Sequence, residues 1–137
     1  FDLPGMRILQ FAFGGAPERR FLPHRHERNT VVYTGTHDND TTHGWYHTLT
    51  PDELRFLRSY APSTDNDISW DLIRMAWMSV ADFAVAPLQD VLSLGSEARM
   101  NRPGQPSDNW RWRFRAEMLT EELLDRLAEL TVIYERA

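Results

Sequence analysis

The sequence predicts an α/β protein in which parallel strands alternate with helices. Three observations carry that expectation. Short β-branched and aromatic runs recur at residues 6–13, 31–34 and 81–86, and segments with helical periodicity and capping signals lie between and after them. The run ending at Thr34 turns abruptly polar at Thr36-His37-Asp38-Asn39-Asp40, and parallel α/β proteins gather their chemistry at the carboxyl ends of strands. The chain has 137 residues, enough for one ordinary domain and too few for two of usual size.

Each element has a local reason. Leu3-Pro4-Gly5 reads as a turn, with proline setting one dihedral and glycine permitting another. The first strand is expected over residues 6–13, ending at Gly14-Gly15. Residues 16–29 have loop composition, with Pro17, Glu18-Arg19-Arg20 and Leu22-Pro23-His24. The second strand covers 31–34, and a short helical turn over 41–48 carries Trp45 and Tyr46.

Thr50-Pro51-Asp52-Glu53 has the signature of a helix start. Thr50 can cap the free N–H groups, Pro51 suits the first helical position and Glu53 completes a capping box. Leu49 and Leu54 are spaced as a hydrophobic staple. This helix should reach Tyr60 and stop before Pro62. Residues 63–67 supply a new cap. Residues 68–79 then form a largely buried helix, since Trp70, Leu72, Ile73, Met75, Ala76, Trp77 and Met78 leave a narrow polar face at Asp71 and Arg74.

A third strand is expected over 81–86, ended by Pro87. The stretch 88–113 reads as a long loop broken by Gly95, Pro103, Gly104 and Pro106, though Trp110 and Trp112 argue that it is ordered. Thr120-Glu121-Glu122 opens a last helix, with Leu119 and Leu124 as its staple and Leu123, Leu127, Leu130 and Tyr134 as its buried stripe. Three strands with two faces to bury cannot close into anything stable alone. The chain also opens on Phe1-Asp2 without an initiating Met, as a piece cut from something longer would.

Composition narrows the function classes. Hydrophobic residues make up 42% of the chain and charged residues 26%, which is globular rather than disordered. A net charge of -5 gives no general attraction to nucleic acid or anionic lipid. No cysteine is present, so disulfides, thiolate catalysis and cysteine-ligated zinc are excluded together. No apolar run approaches the ~20 residues that span a bilayer, and no signal-peptide pattern opens the chain. The expected setting is cytoplasmic.

His37, Asp38, Asp40, His43 and His47 admit three chemistries. His43 and His47, at i and i+4, could place two imidazoles on one helix face as metal ligands. Asp38-Asn39-Asp40 could hold magnesium or manganese against a nucleotide-sugar; the plainer reading is a turn capped by its own side chains. The third is metal-free glycosyl transfer, in which carboxylates protonate, attack and stabilise an oxocarbenium-like centre. Five Trp and four Tyr fit a cleft that stacks on sugar faces, although Trp70 and Trp77 belong by periodicity to the core.

Several blocks resemble the 4-alpha-glucanotransferases called amylomaltase or disproportionating enzyme, glycoside hydrolase family 77. They are Leu3-Pro4-Gly5-Met6, Leu9-Gln10-Phe11-Ala12-Phe13, Leu22-Pro23-His24, and Val32-Tyr33-Thr34-Gly35-Thr36-His37-Asp38-Asn39-Asp40-Thr41-Thr42. Ser79-Val80-Ala81-Asp82, Pro87-Leu88-Gln89-Asp90-Val91-Leu92, Leu94-Gly95-Ser96-Glu97-Ala98-Arg99-Met100-Asn101-Arg102-Pro103-Gly104 and Asn109-Trp110-Arg111-Trp112-Arg113 continue it. The resemblance implies that residues 1–137 are the C-terminal portion of a (β/α)8 TIM barrel catalytic domain, incomplete in this chain. It implies retaining double-displacement transfer of α-1,4-glucan segments to glucose or another glucan, without metal or organic cofactor. Asp38 falls on the transition-state-stabilising aspartate, and His37 on a histidine that contacts the sugar beside the scissile bond. Phe11 falls on an acceptor-side position and Asn101 in a loop that closes over the donor side. The nucleophilic aspartate and acid/base glutamate fall upstream of Phe1, so the chain alone should be inactive and should need the N-terminal part of the barrel. Maltooligosaccharides and α-1,4-glucans are the implied partners. A non-catalytic glucan-binding remnant is the main alternative.

Overall fold

A computed structural model describes residues 3–61 and 67–136. Strands β1 (Gly5–Ile8), β2 (Thr30–Tyr33) and β3 (Phe83–Val85) form one parallel sheet in that order. Helices α1 (Thr42–Tyr46), α2 (Pro51–Tyr60) and α3 (Ile68–Trp77) lie between β2 and β3, and α4 (Leu88–Val91) and α5 (Glu121–Ile133) follow. The expected stop before Pro62 and the cap over 63–66 lie outside the described residues. Asp67 is described, and it precedes α3 without a capping hydrogen bond.

The first strand is shorter than expected. Backbone pairing ends at Ile8, and Leu9–Phe13 coils into a 3-10 helix. The physical reason is legible afterwards: Leu9, Ala12 and Phe13 are fully buried at i, i+3 and i+4, a helical spacing that an extended chain would scatter over both faces. Phe13 meets Trp45, Phe56 and Tyr60 at ring-centroid distances of 6.0 Å each. The third strand is likewise only Phe83–Val85. Helix α3 ends at Trp77, so Met78 is exposed rather than part of the buried face. The long loop is not structureless, since α4 and a 3-10 turn at Ser96–Ala98 interrupt it.

The threonine caps of α2 and α5 are present, while Leu124 of the expected staple with Leu119 is 51% exposed. Thr50 Oγ1 accepts from Glu53 N at 3.4 Å while Glu53 Oε2 accepts from Thr50 N at 2.8 Å, a complete capping box. The bonds that Thr50 N and Thr50 Oγ1 donate to its carboxylate, each 2.8 Å, hold the Glu53 carboxyl below its ordinary value. Thr50→Ala should therefore lower stability by about 1 kcal/mol, with Thr50→Ser restoring it. Chemical denaturation of the full-length protein checks this, and an unchanged midpoint with Ala would contradict it. Thr120 caps α5 without a reciprocal bond, accepting from Leu123 N at 3.3 Å.

Pairing register sorts the sheet into two faces. Arg7, Val32 and Ala84 are aligned on one face, where Val32 joins a core made by Leu9, Phe13, Leu57, Leu72 and Met75. Behind that layer, Trp70 and Ile73 of α3 pack against Val91 and Leu130, with Leu123, Leu127 and Tyr134 as expected. Trp70 and Trp77 are core residues whose indole N–H groups donate to Val91 O and Thr131 Oγ1, each at 3.2 Å. Arg136 ties the chain end to the α3–β3 turn, donating to the carbonyls of Ser79 (2.6 Å) and Ala81 (2.9 Å).

The opposite face is different. Met6, Val31 and Phe83 align in one row and Ile8, Tyr33 and Val85 in the next. Met6 is 55% exposed, Phe83 60% and Val85 41%. Parallel sheets normally bury both faces, and this one presents an apolar face uncovered among the described residues. No helix is long and apolar enough to cross a membrane among those residues.

Candidate functional site

All three strands deliver their carboxyl ends to one cleft of ≈ 900 Å³. Phe11 reaches it from the turn after β1, His37 and Asp38 from the loop after β2, and Gln89, Asp90 and Arg99 from the segment after β3. The open face of the sheet forms its apolar wall through Met6, Ile8, Tyr33 and Val85. The volume lies in the range of small-molecule sites, about 300–1,000 Å³.

The loop after β2 is built by its own polar side chains. Asn39 Oδ1 accepts from Thr36 N (2.9 Å) and Thr36 Oγ1 (2.8 Å), and Asn39 N donates to Thr36 O (3.1 Å). Asp40 Oδ1 accepts from Thr41 N at 2.8 Å, and its Oδ2 accepts from Ser96 Oγ at 2.8 Å. Gln10 Nε2 donates to Asp40 O at 2.9 Å. Two glycines make room for these approaches. A Cβ on Gly35 would lie 2.6 Å from Gln10 Nε2, and one on Gly44 would collide with Ser96 Oγ and Asp40.

Asp38 is the member of this loop left facing the cleft, with half its side-chain surface open. Asn101 Nδ2 donates to Asp38 Oδ1 at 2.5 Å, and His37 Nε2 lies 3.3 Å from the same oxygen. The segment after β3 is bound to the loop through the backbone as well. Asn101 N donates to His37 O (3.0 Å), and Arg99 donates to Asp38 O (2.7 Å) and Asn101 O (2.9 Å). Trp110, in the left-handed region at φ 61, places its ring 5.1 Å from that of His37. The backbone N–H of Trp110 donates to Met100 O at 2.7 Å.

Of the residues singled out from the sequence, His37, Asp38 and Asn101 thus make one hydrogen-bonded group. Phe11 stands across the same cleft, 44% exposed and edge-on to Phe21 at 5.7 Å. The Asp38-Asn39-Asp40 side chains do not converge: Asp38 faces the cleft, while Asn39 and Asp40 brace the loop. His43 and His47 meet edge to face, with centroids 4.8 Å apart. No three His, Asp or Glu stand together as an ion site among the described residues.

Sequence reasoning missed Asp90, which is fully buried in α4 and accepts from Thr34 Oγ1 (2.6 Å), Thr42 N (2.7 Å) and Thr42 Oγ1 (2.8 Å). Burial pushes its carboxyl above the ordinary carboxylate value despite those bonds, and the charge of Asp40 adds to the rise. No local signal marks Asp90, since it sits beside Gln89 in a short mixed stretch, Leu88 to Leu92. Arg99, Trp110 and Ser96 were also missed as site residues, because their partners lie more than fifty positions away in the chain.

The arrangement offers a half-open carboxylate, its two orienting partners, and aromatic surface on both sides. A carboxylate so placed can stabilise positive charge developing on a sugar ring, and Trp110, Phe11 and Tyr33 offer faces for stacking. Comparison with known proteins identifies the family. The sequence profile described as 4-alpha-glucanotransferase matches residues 1–120. A 4-alpha-glucanotransferase of Thermus thermophilus is 49% identical over 99% of this chain and 29% of its own length. The chloroplastic/amyloplastic enzyme of Arabidopsis thaliana is 47% identical over 97% of the chain and 24% of its own. Among solved structures, the amylomaltase of Streptococcus agalactiae in complex with acarbose superposes with a TM-score of 0.92 at 34% identity, covering 98% of this chain and 28% of that one. The chain therefore spans less than a third of the length of these relatives, and it belongs to glycoside hydrolase family 77, the 4-alpha-glucanotransferases.

Proposed function

We propose that the protein carrying this chain transfers α-1,4-glucan segments to glucose or another α-1,4-glucan by a retaining double displacement. In this reading residues 1–137 are the C-terminal portion of a (β/α)8 barrel catalytic domain. The sheet face that carries Met6, Phe83 and Val85 turns to the barrel interior, which the remaining strands fill and close. The observation that carries the function is Asp38, a half-open carboxylate at the carboxyl end of a parallel strand, held by Asn101 and His37.

Asp38 stabilises the oxocarbenium-like sugar on the way into and out of the covalent intermediate. His37 hydrogen-bonds the sugar beside the scissile bond, Phe11 stacks on the acceptor side and Asn101 covers the donor side. The nucleophile and the acid/base carboxyl come from the N-terminal part of the barrel. The occupants are maltooligosaccharides and α-1,4-glucans; no metal, organic cofactor, nucleic acid or membrane takes part. We place the protein in the cytoplasm.

The test is disproportionation of maltotriose by the full-length protein in the presence of a strong chelator. Longer maltooligosaccharides should form at the same rate with and without it, and acarbose should compete. Activity that disappears with chelator and returns with one divalent metal would favour a metal-dependent transferase instead. Acarbose and glucan binding without any transfer would favour the non-catalytic remnant.

A further inference from the structure

We infer that Asp90 is a positioning residue for Asp38, clamping both ends of the loop that carries it. The inference rests on the proposed role of Asp38 at the reacting sugar. The loop of residues 35–41 leaves the sheet at Thr34 and returns to regular structure at Thr42, the first residue of α1. Asp90 binds both of these residues and none in between. Its Oδ2 accepts from the Thr34 and Thr42 hydroxyls, and its Oδ1 accepts from the Thr42 backbone N–H.

The choice of side chain is informative. Three donors converge on one buried point, and a carboxylate is acceptor-only, able to receive all three. An asparagine would turn an NH2 group toward at least one of them. An apolar residue would leave three buried polar groups unsatisfied. Burying a carboxylate is itself costly, and packing alone gives no reason for one here. The clamp fixes the two ends of the loop, while Asn39 fixes its turn and Ser96 fixes Asp40, so the Asp38 carboxylate is determined from both sides. All three residues of the clamp are 1% exposed or less, and although Asp90 borders the cleft its oxygens are engaged by the threonines.

The experiment compares Asp90→Asn, Thr34→Val and Asp38→Asn in the full-length protein, with kcat and KM for maltotriose, acarbose affinity and melting temperature measured on each. Thr34→Val keeps a β-branched strand residue and removes one clamp bond, so it is informative even if Asp90→Asn fails to fold. Misplacing a reacting group by about 1 Å can cost about 10²-fold. Asp90→Asn should lower kcat at least about tenfold with KM and acarbose affinity within about twofold. Thr34→Val should act in the same direction and more weakly. A purely structural role would lower the melting temperature and leave kcat per folded molecule unchanged, and that result overturns the positioning role. If Asp38→Asn itself leaves kcat unchanged, the catalytic reading fails and the positioning role fails with it. If Asp38→Asn is inactive while both clamp variants turn over normally, only the positioning role fails.

Discussion

Asp38→Asn in the full-length protein should lower turnover by about 10²–10³, or roughly 3–4 kcal/mol of transition-state stabilisation, with little change in ground-state binding. Asparagine is nearly isosteric and keeps the oxygen that accepts from Asn101 Nδ2. The loop is fixed by Asn39, Asp40 and Asp90 rather than by Asp38, so the fold should not depend on its charge. What asparagine lacks is a full negative charge opposite a sugar ring that becomes cationic only near the transition state. An interaction of that kind acts on turnover more than on affinity. His37→Ala should cost less, since it removes a ring near the Asp38 carboxylate and against Trp110 but leaves the charge in place. Turnover, KM and melting temperature measured on one preparation decide the matter. Activity within a few-fold of the parent would reduce Asp38 to a turn residue.

The 137 residues expressed by themselves should produce no longer maltooligosaccharides from maltotriose, and they should self-associate. Double displacement needs a nucleophilic carboxylate and an acid/base carboxyl besides a stabilising one. Among the described residues three carboxylates line the cleft: Asp38, Asp40 and Asp90. Asp40 is committed to Thr41 and Ser96, and Asp90 is buried among threonines. Asp38 alone is free to act. The sheet meanwhile offers an apolar face and two strand edges, on β1 and β3, that pair with nothing among the described residues; such edges drive association. A ladder of longer glucans above a no-protein control would contradict the first half of this expectation. A monodisperse monomer with a sharp thermal transition would contradict the second.

Much of this molecule follows from local rules that neighbouring residues obey without help. Thr50 and Glu53 begin α2 because their side chains satisfy each other's backbone donors, and Thr120 begins α5 through a single cap bond from Leu123 N. The stripe of Leu123, Leu127, Leu130 and Tyr134 turns toward the core, with Leu130 buried and the other three partly buried, because its spacing leaves it on one side of a helix. The polar loop after β2 was legible as a site because a strand that ends in imidazole and carboxylates has little packing use for them. Short strands were the weaker part. A run such as 6–13 satisfies strand propensity throughout, and only the demand of the core for Leu9, Ala12 and Phe13 on one side bends it into a turn after Ile8.

By itself, then, the sequence determined the parallel α/β architecture, the helix boundaries near their caps, and the identity of His37, Asp38, Asn101 and Phe11 as candidates. The tertiary structure decided which of the polar residues are free to act. Asp38, Asn39 and Asp40 are adjacent and chemically alike, yet the partners that separate them arrive from elsewhere: Ser96 and Asn101 come from the segment after β3. Asp90 is anonymous in sequence and becomes a clamp only when α4 packs beneath Thr34 and Thr42. Hydrogen-bond geometry over a few ångströms depends on where distant segments settle, and no local preference of the chain encodes that distance.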